Sequence, residues 1–202
     1  MTPSDAELAT EALAGSEAAC RALVARYATA AVNLAARMVG DRAQAEDLAQ
    51  EAFVRAFAGL ATYDAQRSFA SWFFQIVRNV TIDYLRLKRL DTTSLDELDA
   101  AGHPVGVTDA TASPEAQAER AALGLALDHA LGRIRPEYRA AIVLRYQEGL
   151  ALSEIAEVLG VPSGTVKTYL HRGRKELASM LSARGWGPAS GRSSETFDRE
   201  NP

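Results

Sequence analysis

Apolar positions along the chain recur at three- and four-residue steps, the period of a helix with one buried face. Between residues 17 and 39 the stripe is Leu23, Val24, Tyr27, Ala31, Leu34 and Met38. Ser16 stands where an N-cap hydroxyl belongs, and Gly40 where a helix stops. Asp41 starts a second helix, with Gln44 at capping-box spacing and Leu48, Ala52, Phe53, Ala56, Phe57 and Leu60 as its inner face. Tyr63 to Arg67 reads as a loop. Ser68 then caps a third helix that turns Phe69, Trp72, Phe73, Ile76, Val77, Val80, Tyr84 and Leu87 inward. No run alternates with period two and no hairpin dipeptide separates strand-like segments, so the predicted class is all-α.

The periodicity lapses between residues 91 and 114. Gly102, Pro104, Gly106 and Pro114 stand there among Asp, Thr and Ala, the composition of a flexible, self-repelling linker. Ser113-Pro114 fits a helix start, and helical patterns follow over about 115–131, 136–147, 152–159 and 163–181. From residue 183 onward Gly185, Gly187, Pro188, Gly191 and several serines read as a disordered tail. The expected architecture is two small helical domains, residues 1–90 and 115–182, joined by the acidic linker 91–114 and followed by the tail 183–202.

A helix-turn-helix is predicted in the second domain. Ile155, Ala156 and Leu159 form one short apolar face, and residues 160–163 make a tight turn. Gly160 can take the left-handed conformation, and Val161 can plug the core beside Val166, Leu170 and Leu177. Ser163 is placed to cap the following helix. Ala151 occupies the position where Ser or Thr would cap the preceding one, so that end is expected to be held by packing.

Composition narrows the class. A chain of 202 residues, 48% hydrophobic and 24% charged, belongs with soluble globular proteins. The lone Cys20 excludes an internally disulfide-stapled scaffold and favours a reducing cytosol. No stretch approaches the roughly 18 unbroken apolar residues of a membrane span, so no membrane insertion is expected. Met1 to Gly15 carries Asp5, Glu7 and Glu11 and no base, which does not fit a signal or transit peptide.

A net charge of −4 argues against a nucleic-acid partner only until the charges are located. Residues 1–19 carry −4 and residues 91–119 carry −7, with no Lys or Arg in either. All 22 basic residues and 15 of the 26 acids lie in the remaining segments, which therefore carry +7. Focused patches of this kind govern association more than the average does.

Within the second basic block, Thr165, Lys167, Thr168, His171, Arg172 and Arg174 face outward near the start of the last helix. Such side chains suit phosphates and base edges in a major groove, although a helical hairpin with a solvated basic face would have the same composition. In the first block, Gln75, Arg78, Asn79 and Arg86 form a polar face beside aromatics. Aromatics next to cations suit unstacked bases, but the helical spacing of Phe69, Trp72, Phe73 and Ile76 marks those four as core. Glu46, Asp47, Gln50 and Glu51 make an acidic patch that repels DNA, so a partner for it is protein. No Ser–His or Cys–His pair and no metal-ligand cluster stands in a fitting context. The expectation is no catalytic residue, no metal and no cofactor, hence no enzyme.

Three motifs together resemble a known family, the extracytoplasmic-function (ECF) sigma factors of bacterial RNA polymerase. Asp47-Leu-Ala-Gln-Glu-Ala-Phe-Val-Arg resembles the family's polymerase-binding helix. Ser68-Phe-Ala-Ser-Trp-Phe-Phe-Gln-Ile-Val-Arg-Asn with Ile82-Asp-Tyr-Leu-Arg resembles its −10 recognition helix. Leu144-Arg-Tyr, Glu154-Ile-Ala, Leu159-Gly and Gly164-Thr-Val-Lys-Thr-Tyr-Leu-His-Arg-Gly-Arg-Lys resemble its −35-reading helix-turn-helix. The match covers roughly residues 17–90 and 115–182. The helix-turn-helix alone is shared with many regulators; the three motifs in this order are specific.

The resemblance implies a cytoplasmic transcription initiation factor with core RNA polymerase and promoter DNA as partners. Asp47, Gln50 and Glu51 would contact basic clamp helices of the polymerase. The loop 61–67 with Arg67, and the face Gln75, Arg78 and Asn79, would bind the −10 element as a single strand with one base flipped out. Ser163, Thr165, Lys167, Thr168, His171, Arg172 and Arg174 would read the −35 element as duplex. The acidic linker would thread through the polymerase, and an anti-sigma factor would be a further partner. The alternative is a stand-alone helix-turn-helix regulator acting as a dimer without core polymerase; a protein-interaction adaptor is the remoter one.

Overall fold

The computed structural model describes residues 2–91 and 113–186, and all its regular elements are helical. Most of the expected linker, residues 92–112, and most of the expected tail, from residue 187, lie outside the described residues; the linker's two end residues, Asp91 and Pro114, belong to helices.

Four α-helices build the first half: α1 (Asp5–Leu13), α2 (Glu17–Val39), α3 (Arg42–Ala58) and α4 (Phe69–Asp91), with a 3-10 turn at Leu60–Thr62 before the loop into α4. The predicted caps are in place. Ser16 accepts the Ala19 N–H at 3.3 Å, Asp41 accepts the Gln44 N–H at 3.2 Å, and Ser68 accepts the Ser71 N–H at 3.3 Å. Gly40 ends α2 at φ +77°, where a side chain would be strained. Helix α1 was not anticipated from the apolar pattern. Its signal is a capping box: Ser4 and Glu7 bond reciprocally, with the Ser4 N–H on Glu7 at 2.7 Å, and Leu8, Ala9 and Ala12 turn inward.

The core of this half forms on α2. Ala31, Leu34 and Ala35 are fully buried, and the small stripe Ala45, Ala49, Ala52 and Ala56 of α3 lets the two helices approach closely. Tyr27 meets Phe69, Phe73 and Phe74 of α4 with ring centroids 5.4, 5.5 and 6.0 Å away. Several expectations for α4 change. Phe74 is buried although it was not placed on the inner face, Trp72 and Ile76 are only half-buried, and Leu87 is exposed. Exposure rises along the last turns, from half-buried Tyr84 and Leu85 to exposed Arg86, Leu87 and Lys88.

The second half comprises α5 (Pro114–Arg133), α6 (Pro136–Tyr146), α7 (Leu152–Leu159) and α8 (Ser163–Ser182). Gly160 is left-handed at φ +66°, as predicted for the turn. Gly173 admits α6 so closely that an added Cβ would lie 3.1 Å from the Tyr138 Cβ. The cap assignments shift. Ser163 is the first helical residue and does not cap α8; the Pro162 carbonyl precedes it and accepts the Thr165 and Val166 N–H groups at 2.8 and 3.2 Å. At Ala151 the helix end is held by more than packing: Glu154 reaches back to the Ala151 N–H at 2.8 Å, one half of a capping box. Residues 183–186 continue α8 as a turn, with the Trp186 N–H on the Leu181 carbonyl at 2.9 Å.

The two halves pack on each other through α2 and α4 on one side and α5, α6 and α7 on the other. Arg37 and Asp128 form an ion pair across the junction with side chains 10% and 6% exposed. Arg139 of α6, itself buried, donates to the Arg37 and Met38 carbonyls at 3.0 Å each and to the Ile134 carbonyl at 3.2 Å. It thus satisfies carbonyls at the end of α2 that have no partner within that helix.

Two outcomes follow from these contacts. Ala151→Ser supplies the absent hydroxyl of the capping box and should raise stability by about 1 kcal/mol in urea unfolding; an unchanged midpoint would mean Glu154 already saturates that end. Asp128→Ala leaves Arg37 buried without its partner, a defect that costs about 3–5 kcal/mol if the junction stays closed. Separation of the halves hydrates Arg37 instead, so small-angle scattering should show a larger radius of gyration with helical circular dichroism retained. An unchanged radius would show that the pair does not hold the junction.

Candidate nucleic-acid interface

Helix α8 buries Val166, Leu170, Gly173 and Leu177 and turns its opposite face to solvent. Ser163, Lys167, Thr168, His171, Arg172 and Arg174 are exposed, and Thr165 is half-buried. The ridge opposite the core runs Gly164, Thr168, His171 and Lys175 at helical steps. Lys175 therefore belongs to this face although the sequence-based set omitted it; its four-residue step from His171 is the signal. The Thr168 hydroxyl donates to the Gly164 carbonyl at 3.1 Å, leaving its lone pairs outward. Arg172 leans to the edge of the face, where the Tyr138 phenol and then Glu176 hold its guanidinium above the ordinary range.

A small cleft of about 130 Å³ opens beside the loop that leads into α4, below the range of drug-sized ligand pockets. The loop is braced by its own bonds: the Tyr63 hydroxyl donates to the Arg67 carbonyl at 2.9 Å, and Asp64 accepts the Gln66 N–H at 2.9 Å. Tyr63 and Trp72 stand at the cleft with ring centroids 5.4 Å apart. Ser71 lines it too, 2% exposed, with a hydroxyl that has no hydrogen-bond partner. A buried hydroxyl left unsatisfied is exceptional and costs free energy until a partner arrives. Trp72, expected only as core, is thus a wall of the cleft.

Of the four side chains expected on the −10 face, the fold brings Arg67 and Gln75 to this cleft. Asn79 is exposed one turn beyond Gln75. Arg78 turns away and is half-buried; burial lowers its guanidinium from the ordinary value, while Glu137 opposes that shift. Arg78 also donates to the Asn79 side chain at 3.3 Å.

Asp47, Gln50 and Glu51 share the exposed face of α3. Glu51 pairs with Arg55 at 2.8 Å and Glu46 with Arg42 at 3.3 Å, so the patch is less negative than its acids alone suggest. One turn on, Val54 is 64% exposed, an apolar element beside the carboxylates that sequence patterning did not single out. A charged rim with an exposed apolar side chain suits a protein partner. Among the described residues no group of three or more His, Cys, Asp or Glu could hold a metal ion, and no helix is long and apolar enough to cross a membrane.

The same segments match known families. The family described as Sigma-70 region 2 matches residues 23–90, and the family described as Sigma-70, region 4 matches residues 124–177. The ECF RNA polymerase sigma factor SigW of Bacillus subtilis is 36% identical over 171 residues, covering 83% of this chain and 91% of the relative. The RNA polymerase sigma factor CnrH of Cupriavidus metallidurans is 32% identical over 191 residues, covering 91% and 98%. The structure of CnrH in complex with the cytosolic domain of CnrY superposes with a TM-score of 0.64 at 27% identity, covering 89% of this chain and 97% of that one. The chain belongs to the ECF sigma factors. As a sigma factor of RNA polymerase it acts in transcription initiation, and a match to both regions speaks against a free-standing helix-turn-helix regulator.

Proposed function

We propose that three surfaces divide the work of promoter recognition. The exposed face of α3, with Asp47, Gln50, Glu51 and Val54, docks on a basic surface of core RNA polymerase. The α8 face, Ser163 through Arg174 extended by Lys175, lies in the major groove of the −35 duplex. The cleft between the loop and α4 receives one flipped base of the non-template −10 strand, with Arg67 on its phosphate and Gln75 and Asn79 along the strand. Residues 1–90 and 115–182 then act as separate reading heads joined by an acidic tether.

The observation that carries this reading is the cleft: paired aromatics, an orphaned buried hydroxyl and an arginine together. Stacking on aromatics contributes about 1–3 kcal/mol per base, and the Ser71 hydroxyl awaits a polar atom of the kind a base edge carries. The chemistry of the reaction stays with the polymerase; this chain binds, positions and stabilises a melted strand, without catalytic residues or a cofactor. It works in the cytoplasm, where polymerase and promoters are, and its protein partners include an anti-sigma factor, in keeping with the CnrH relative solved with a cytosolic partner.

Run-off transcription with purified core polymerase and a promoter library tests the reading. Promoter-specific transcripts are expected, and Asp47→Lys with Glu51→Lys should abolish them by weakening core binding. On the selected promoter, Ser71→Ala should weaken capture of the melted −10 strand by about 3- to 10-fold, the worth of one hydrogen bond. The same change removes an unsatisfied group and should leave folding stability equal or higher. Unchanged strand capture would remove Ser71 from the site.

A further inference from the structure

The cleft has a ninth wall residue that does not come from its own half of the molecule. Glu157 of α7 lines it, with its carboxylate 3.3 Å from an Arg67 guanidinium nitrogen. Helix α7 packs along α4. Farther down α4, Arg78 is half-buried in the field of Glu137 from α6 and Tyr169 from α8. Both arginines of the −10 set thus face acidic or phenolic groups of the other half. A carboxylate and a backbone phosphate make the same demand on a guanidinium: oxygen acceptors, negative charge and fork geometry.

Distance supplies an independent constraint. Elements centred at −10 and −35 lie about 25 base pairs apart, roughly 85 Å of duplex at 3.4 Å per step. A compact chain of this length has a radius of gyration of about 17 Å, so it spans roughly 45 Å. The packed arrangement cannot touch both elements. It is a form of the protein that has to come apart before a promoter is read.

We propose that α7 is an internal ligand of the −10 cleft, with Glu157 occupying on Arg67 the place of a promoter phosphate. This rests on the cleft being the −10 site. The Arg67–Glu157 pair is half-exposed, with side chains 60% and 42% accessible, and a pair of that kind shifts an equilibrium by a factor of about five at most. The buried Arg37–Asp128 pair, the Arg139 bonds and the apolar cluster shared by both halves hold them together; Glu157 makes that closure exclusive with DNA. Strand and α7 then compete for one guanidinium, and anything that draws the halves apart exposes the cleft.

The test uses the full chain without polymerase and fluorescein-labelled random single-stranded 20-mers, read by fluorescence anisotropy. Arg67→Ala should weaken binding, and Glu157→Gln should tighten it by about 3- to 5-fold. The double variant should show no gain from Glu157→Gln, since no guanidinium remains to be released. An equal gain in both backgrounds would mean that Glu157 merely repels DNA through space and would overturn the internal-ligand proposal. No gain in either background, with Arg67→Ala still weakening binding, would overturn it and leave the cleft as the strand site. If neither Arg67→Ala nor Ser71→Ala weakens binding, the cleft reading fails, and the proposal with it.

Discussion

The last turn of α2 ends in carbonyls that no bond within the helix can satisfy, and the donors arrive from the other half of the chain. Arg139 of α6 reaches across to the Arg37 and Met38 carbonyls while also bonding to the Gly132 and Ile134 carbonyls of its own half. One guanidinium therefore closes a helix end and a helix-helix connection together, and its charge sits at the negative end of the α2 dipole. Beside it, Arg37 turns its own side chain onto Asp128. Burial pulls both guanidiniums below their ordinary range, but arginine stays charged, so this junction sets polar groups that water can solvate into an apolar cluster shared by both halves. Without them the two halves would share an apolar core alone; the ions and carbonyls are groups that water can take over when the halves part.

That property suits a protein that needs two charge characters. Averaged over the chain the charge is −4, yet the described halves expose basic helix faces that suit DNA and a mixed acidic and apolar face on α3 that suits protein. Glu157 belongs to the half that carries the helix-turn-helix, but its carboxylate lies at the cleft of the other half, paired with Arg67. Under the proposed assignment the acidity that suits polymerase also supplies a substitute for DNA within the molecule.

Much of the fold was legible because its signals are local. Ser16, Asp41 and Ser68 cap the helices they were expected to cap, and Gly40 and Gly160 take the left-handed conformation at the stops. The structure departs from the local pattern where a neighbour decides the outcome. The apolar pattern of α1 is short, and only the Ser4–Glu7 box betrays it. Trp72 and Phe74 exchange their expected places because α4 is flanked by helices on more than one side, so its buried arc is wider than a single stripe. Ser163 and Pro162 are adjacent, and which of them takes the cap position depends on how tightly the Gly160 turn is wound. Of the functional faces, the α8 side chains follow from helical period alone, with Lys175 an omission of one step. The orphaned Ser71 hydroxyl, the Tyr63–Trp72 wall and the Arg67–Glu157 pair join residues far apart in sequence, and no local pattern encodes them.

The proposed opening of the packed chain on promoter binding is tested most directly by a distance. Spin labels at Ala58→Cys on α3 and Ser179→Cys on α8, both exposed sites, placed in a Cys20→Ser background, report the separation of the halves by double electron–electron resonance. The free chain should give one short, narrow distribution. With core polymerase and promoter DNA it should lengthen by tens of ångströms, in line with the roughly 85 Å between the elements. The same distance in both states would contradict the account.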